Sequence, residues 1–184
     1  RMAIGALKAT GDLERIGDYA ANVAKRSRVL GQFGGRFATA GLSNMARLVQ
    51  ENLTRVIDAI GSNDVARAVE VWSSDEAIDA VYDALFRELI TYMMEDPRNI
   101  TPCTHLLFVA KNLERIGDHA TNLAETVHYA VTGVALTQAR PCAVRKLARL
   151  TLAKSLALVG SGMTEGALNP KTDAGLLFRA GSLS

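Results

Sequence analysis

Cysteine is scarce in this sequence, and long apolar runs are missing. Among 184 residues there are two cysteines, Cys103 and Cys142, which stand far apart and form no CxxC pair. This usage argues against a disulfide framework and favours a reducing cytosol. The longest apolar candidate, residues 147–159, is interrupted by Arg149 and Lys154, so no segment is predicted to cross a bilayer. We recognise no signal peptide and therefore expect a cytoplasmic protein.

The residue patterns of common catalytic and nucleotide-binding sites are also missing. The three histidines fall into no Ser-His-Asp or Cys-His arrangement, and the glycine-rich stretch at residues 31–35 lacks the lysine and the preceding strand of a P-loop. A net charge of +2 gives no overall reason to expect nucleic acid or an anionic membrane as a partner. We therefore expect a protein that is not an enzyme and does not bind phosphate directly.

An internal repeat is the strongest feature that is present. Residues 13–24 read LERIGDYAANVA and residues 113–124 read LERIGDHATNLA, with nine of twelve positions identical at an offset of one hundred residues. Each copy should mark one structural unit. Gly17 and Gly117 lie within the two copies, and we expect both to allow close helix approach, since glycine inside a helix costs ~1 kcal/mol relative to alanine.

Between the two copies, apolar residues recur at spacings of three and four, the period of a helix that packs on one face. The pattern predicts helices over about residues 38–60, 64–94 and 101–132. Three long helices with short connections form an antiparallel bundle, with Trp72 in its core. By the repeat, residues 1–30 should be the third helix of a preceding bundle whose first two helices are not in this sequence.

The resulting division of the chain has three parts. Residues 1–36 are predicted to be the last helix of a first repeat and its linker, residues 37–133 a complete second bundle, and residues 134–184 a tail. The tail has no Asp or Glu before residue 164, so a basic amphipathic helix over residues 143–159 is one alternative. A weakly ordered extension is the interpretation we favour, a shifted reading frame is another, and we assign the tail no function.

Each repeat carries a pair of carboxylates four residues apart. Glu14 and Asp18 form the first pair, and Glu114 and Asp118 form the second. Residues at this spacing lie one above the other on the same face of a helix. Like charges so placed repel each other by a few tenths of a kcal/mol, and a bound cation would offset that repulsion.

The preceding helix carries a third pair, Asp75 and Asp79. Counted from the centre of the connection at residues 95–100, Asp79 is about as far as Glu114, and Asp75 about as far as Asp118. An antiparallel hairpin should therefore bring the four carboxylates to one patch. Oxygen-only donors suit Mg²⁺, Ca²⁺, Mn²⁺ or iron, whereas the histidine of the Glu-x-x-His di-iron motif is absent. A solvated acidic face remains the alternative interpretation.

These segments resemble the PhoU family of phosphate-transport regulators. The resemblance is carried by LERIGDHATNLAETVHYAVTG at residues 113–133, by LERIGDYAANVAKRS at residues 13–27, and by DEAIDAVY at residues 75–82. It covers about residues 1–133. It implies an all-α fold of two three-helix bundles related by pseudo-twofold symmetry, of which this chain would hold one complete bundle and the last helix of the other.

The resemblance also implies metal clusters bound by the acidic motifs. The ligands of the complete site would be Asp75, Asp79, Glu114 and Asp118. Glu14 and Asp18 would be half of a second site, incomplete in this chain. We expect the ion to be iron, manganese, magnesium or zinc, and leave its identity open.

In function, the resemblance implies a negative regulator of phosphate uptake and of transcription in the phosphate-starvation response. The expected partners are the ATPase of a phosphate ABC transporter and a sensor histidine kinase, with the regulator a cytoplasmic homodimer near the inner membrane. Two alternatives stay open, a carboxylate metalloenzyme and a metal-free helical scaffold. The enzyme would need a base beside a substrate pocket, and the sequence shows none.

Overall fold

Helices account for almost all of the chain that the computed structural model describes, residues 1–33 and 40–136. The helices of this part are α1 (Met2–Leu30), α2 (Ala40–Ser62), α3 (Val65–Ser73), α4 (Asp75–Glu95) and α5 (Ile100–Thr132). Short 3-10 turns occupy Gly31–Phe33 and Pro97–Asn99, and the described residues contain no strand. The predicted all-α class is confirmed. The predicted boundary at residues 36 and 37 and nearly all of the predicted tail lie outside the described residues.

Most helix ends follow from local sequence. α5 ends where predicted, because Gly133 takes a left-handed conformation with φ of 78° and its N–H donates to the Tyr129 carbonyl oxygen. The α4–α5 connection also lies where predicted, with the Asp96 side chain accepting from the N–H of Arg98. The predicted start of α5 at Thr101 is one residue late, since Ile100 begins the helix and Asn99 occupies the N-cap position.

The predicted single helix over residues 64–94 is interrupted at Ser74, which ends α3 and precedes α4. The N–H of Ser74 is shared between the carbonyl oxygens of Glu70 and Val71, and its hydroxyl donates to Val71 at 2.8 Å. Serine side chains that bond the backbone in this way compete with helix continuation. Asp75 then opens α4 with a negative charge in the first turn, where the helix dipole favours it.

The core forms around α5, which packs against α1, α2, α3 and α4. α5 is buried along most of its length, and its residues from Val109 to Val127 contribute to one apolar cluster with α2, α3 and α4. The largest fully buried apolar side chains are Met45, Val56, Val71, Ile78 and Leu123. Trp72 is only half-buried, packed against this core rather than inside it.

α1 lies antiparallel to α5 and shares the same core. Near one end Gly5 approaches Ala130, and near the other Arg26 stacks over the Phe108 ring at 4.1 Å. Ile16 joins the buried cluster from the middle of α1. The two repeat copies therefore face each other along one helix pair. Within the described residues, no helix is long and apolar enough to cross a membrane.

Candidate metal centre between α4 and α5

Asp75 and Asp79 lie one turn apart at the beginning of α4, and both are buried. Burial of aspartate is unusual and costs free energy unless a partner compensates the charge. Asp75 accepts a hydrogen bond of 3.3 Å from the Thr121 hydroxyl of α5. The packing of α4 against α5 therefore places this carboxylate pair inside a helix interface rather than on a solvated face.

The two carboxylates of the acidic pair on α5 differ in how deeply they are buried in the same interface. Glu114 is 3% exposed, whereas Asp118 is half-buried. The antiparallel register matches the one expected from the position of the connection, because Ile78 lies against Gly117 as Asp75 lies against Thr121. A Cβ atom on Gly117 would stand 3.0 Å from the Ile78 Cδ1 atom, so the expected close approach occurs at this glycine.

The buried Glu114 carboxylate has a cation beside it in the chain itself. Lys111, one turn earlier on α5, forms an ion pair through its Nζ atom with Glu114 Oε2. The same ammonium lies 5.2 Å from the centre of the Tyr82 ring of α4. Three of the four predicted ligands are thus buried between two helices, with a lysine at the edge of the patch.

The donors fit a hard cation by chemistry but do not form a coordination shell as they stand. In the described parts of the chain, no three His, Cys, Asp or Glu side chains are grouped so that they would hold a metal ion. The oxygen-only donor set is the kind that magnesium, manganese and iron accept. Metal binding would therefore require side-chain rotation, and the site remains a prediction.

Glu14 and Asp18, the predicted half-site of the first repeat, are both exposed on α1. The two copies of the motif have opposite surroundings: Leu13 is 43% exposed and Leu113 is 8% exposed. Gly17 would meet nothing within 4 Å if it carried a Cβ atom, so the close approach expected there does not occur. In α5, the face that carries the motif is covered by α4. The described residues leave the equivalent face of α1 uncovered.

Sequence reasoning missed a buried polar cluster between α1 and α5. Asp12 is buried, its Oδ1 atom lies 2.7 Å from His119 Nδ1, and it accepts a longer hydrogen bond of 3.4 Å from Asn122. Its Oδ2 atom is buried and has no hydrogen-bond partner among the described residues. His119 is therefore a partner of α1 rather than a member of the carboxylate patch. The available signal was helical phase, since Asp12 stands on the side of α1 opposite Glu14.

Together, the fold and the interface define a class of protein: an all-α bundle built on a repeated helix, with the acidic motif of one repeat buried against a neighbouring helix. Residues 42–127 match the PhoU domain. Two curated relatives are named phosphate-specific transport system accessory protein PhoU homolog. The one from Caulobacter vibrioides is 54% identical over 142 residues, covering 77% of this chain and 62% of the relative. The one from Rhizobium meliloti is 51% identical, covering 77% and 60%.

Solved structures agree with this assignment. PhoU from Pseudomonas aeruginosa is similar with a TM-score of 0.70 and 39% identity, over 73% of this chain and 65% of that one. The phosphate transport system regulatory protein PhoU from Streptococcus pneumoniae gives 0.66 and 31%, over 73% and 64%. The chain belongs to the PhoU family, which confirms the resemblance. It spans less than two thirds of the length of the Caulobacter and Rhizobium relatives.

Proposed function

We propose that this chain is an accessory regulator of a phosphate transport system and acts through protein–protein contacts. The observation that carries the proposal is the 54% identity to a phosphate-specific transport system accessory protein, over 142 residues. The proposed partners are the transporter ATPase and a sensor histidine kinase, and the proposed effect is to limit phosphate uptake and the starvation response. We place the regulator in the cytoplasm as a homodimer.

The proposal includes a metal ion held by Asp75, Asp79, Glu114 and Asp118. Bound there, the ion would neutralise the acidic patch and fix α4 against α5, which shapes the surface offered to a partner. Burial of three of these carboxylates supports it, since buried charges are paired or coordinate metals. The role is structural or regulatory, and no chemical step is assigned to the ion. A metal-free scaffold is the second candidate, supported by the ion pair of Lys111 with Glu114.

A complementation experiment tests the regulatory role. The chain is expressed in a bacterium that lacks its own family member, and phosphate uptake and a starvation-response reporter are measured in phosphate-rich medium. We expect expression to lower both, and Asp79→Ala/Glu114→Ala to lower them less. The matched control is Glu14→Ala/Asp18→Ala, which changes the same motif where it is exposed. If the wild-type chain accumulates but changes neither readout, the proposed role is wrong for this chain.

A further inference from the structure

Lys111 has no role in the metal site proposed above, although it lies beside one of the predicted ligands. Its side chain is 42% exposed, yet its ammonium forms an ion pair with a carboxylate, that of Glu114, which is 3% exposed. The ammonium also lies near the Tyr82 ring of α4. Long lysine side chains bury the stem and keep the charged end near water. The partly exposed Lys111 side chain therefore neutralises the buried Glu114 carboxylate from the solvent side.

The ion pair has an energetic reason. A carboxylate that leaves water needs compensation by a cation or by hydrogen bonds. Because the Lys111 side chain is 42% exposed, solvent screens the ion pair and limits its contribution to stability. A metal ion on Glu114 would supply the same compensation as the ammonium. The two cations compete, since a metal ion on Glu114 would stand close to the Lys111 ammonium and like charges repel.

The internal repeat gives an independent comparison. At the offset of one hundred residues, the position of Lys111 is occupied by Gly11 in the first copy, while the carboxylates of the motif are kept as Glu14 and Asp18. Those two carboxylates are exposed and need no counter-charge, because water solvates them. The lysine thus accompanies the buried copy of the acidic motif and is absent from the exposed one.

We propose that Lys111 is a built-in counter-cation that holds Glu114 in the metal-free chain and is displaced when a metal ion binds. The lysine then sets the metal affinity of the site: it stabilises the fold without metal and makes binding weaker and reversible. Its flexible four-carbon stem and its partial exposure allow the ammonium to move into solvent without movement of α5. This inference rests on the proposed metal site.

The test is a Mn²⁺ titration by calorimetry on the full chain after chelator treatment. Lys111→Met keeps the stem and removes the charge, and Lys111→Arg keeps a cation. Lys25→Met removes a charge from an exposed position on α1 and is the matched control. We expect Lys111→Met to bind Mn²⁺ about fivefold more tightly, the effect of losing a competing ion pair of roughly 1 kcal/mol. Lys111→Arg and Lys25→Met should stay close to the wild type.

Thermal unfolding supplies a second readout. Without metal, Lys111→Met should have a melting temperature several degrees below that of the wild type. Saturating Mn²⁺ should raise the melting temperature of Lys111→Met by more than it raises that of the wild type. Affinity that is unchanged or weaker in Lys111→Met overturns the inference, even if the wild type binds. If neither protein binds Mn²⁺, the metal site itself is refuted and the inference with it. Binding by Lys111→Met alone supports the inference in its strongest form.

Discussion

A few polar side chains link the two repeats by hydrogen bonds and ring contacts where α1 packs against α5. Asp12 lies between His119 and Asn122, and its carboxylate shares one oxygen between them. Tyr19 of α1 adds a ring contact with His119 and accepts a hydrogen bond from the Arg115 guanidinium. Hydrogen bonds to a charged group contribute more than neutral ones, so this cluster should position α1 on α5 in register.

Replacement of Asp12 by alanine tests that cluster. We expect Asp12→Ala to lower the free energy of unfolding by about 1–2 kcal/mol, because His119 loses its charged partner and remains half-buried. Urea unfolding followed by circular dichroism measures the change. Glu14→Ala, two residues along the same helix but exposed, should change stability by less than about 0.5 kcal/mol. Equal effects of the two substitutions would contradict a structural role for Asp12.

Cys103 should be an unreactive thiol. It is fully buried and forms no disulfide within the described part of the chain, and burial raises the pKa of the thiol above its usual value. Because the pKa is raised in the folded state, the stability that the neutral thiol contributes is fully present below the unfolded-state pKa. That stability is lost as the pH rises through the folded-state pKa. In a Cys142→Ser background, we expect a thiol reagent at pH 8 to label Cys103 at least about a hundredfold more slowly than in urea. Immediate labelling of the native chain would contradict this burial.

At the scale of helices, the sequence was enough to predict where most helices and turns lie, but not the break at Ser74. The 3.6-residue apolar pattern located α2 and α5, and the position of the connection gave the antiparallel register seen at Ile78 and Gly117. The break at Ser74 was missed because the apolar stripe continues across it, whereas the competing hydrogen bonds are side-chain to backbone. Periodicity reports which face is buried and is insensitive to a local cap.

The two repeat glycines provide a prediction about helix packing. Gly17→Ala should stabilise the chain by roughly 0.5–1 kcal/mol, since the new Cβ meets nothing and alanine is the better helix former. Gly117→Ala should gain less, because Ile78 must move to admit the Cβ atom. Thermal unfolding of the two variants measures the difference. A larger gain at Gly117 than at Gly17 would contradict the packing described for α4 against α5.

For the molecule as a whole, the repeat was the most informative feature of the sequence. It identified the acidic motif twice, but it gave no means of telling that one copy is buried and the other exposed. That difference depends on α4, which covers α5 and has no counterpart on α1 among the described residues. Lys111 and Asp12 were missed for a related reason: their partners, Glu114 and His119, become meaningful only when the helices are packed.

We propose that Asp75, Asp79, Glu114 and Asp118 hold a metal ion, and metal content tests this proposal most directly. The full chain is purified without chelator and analysed by elemental mass spectrometry beside two variants. These are Asp79→Ala/Glu114→Ala and the exposed-motif control Glu14→Ala/Asp18→Ala.

We predict a transition-metal ion or magnesium bound to the wild type and to the control, and lost from the Asp79→Ala/Glu114→Ala variant, because carboxylate oxygens are the ligands these cations accept. Circular dichroism of each protein shows whether the loss reflects the site or the fold. Equal metal content in all three folded proteins, or none in any of them after added cations, would contradict the account.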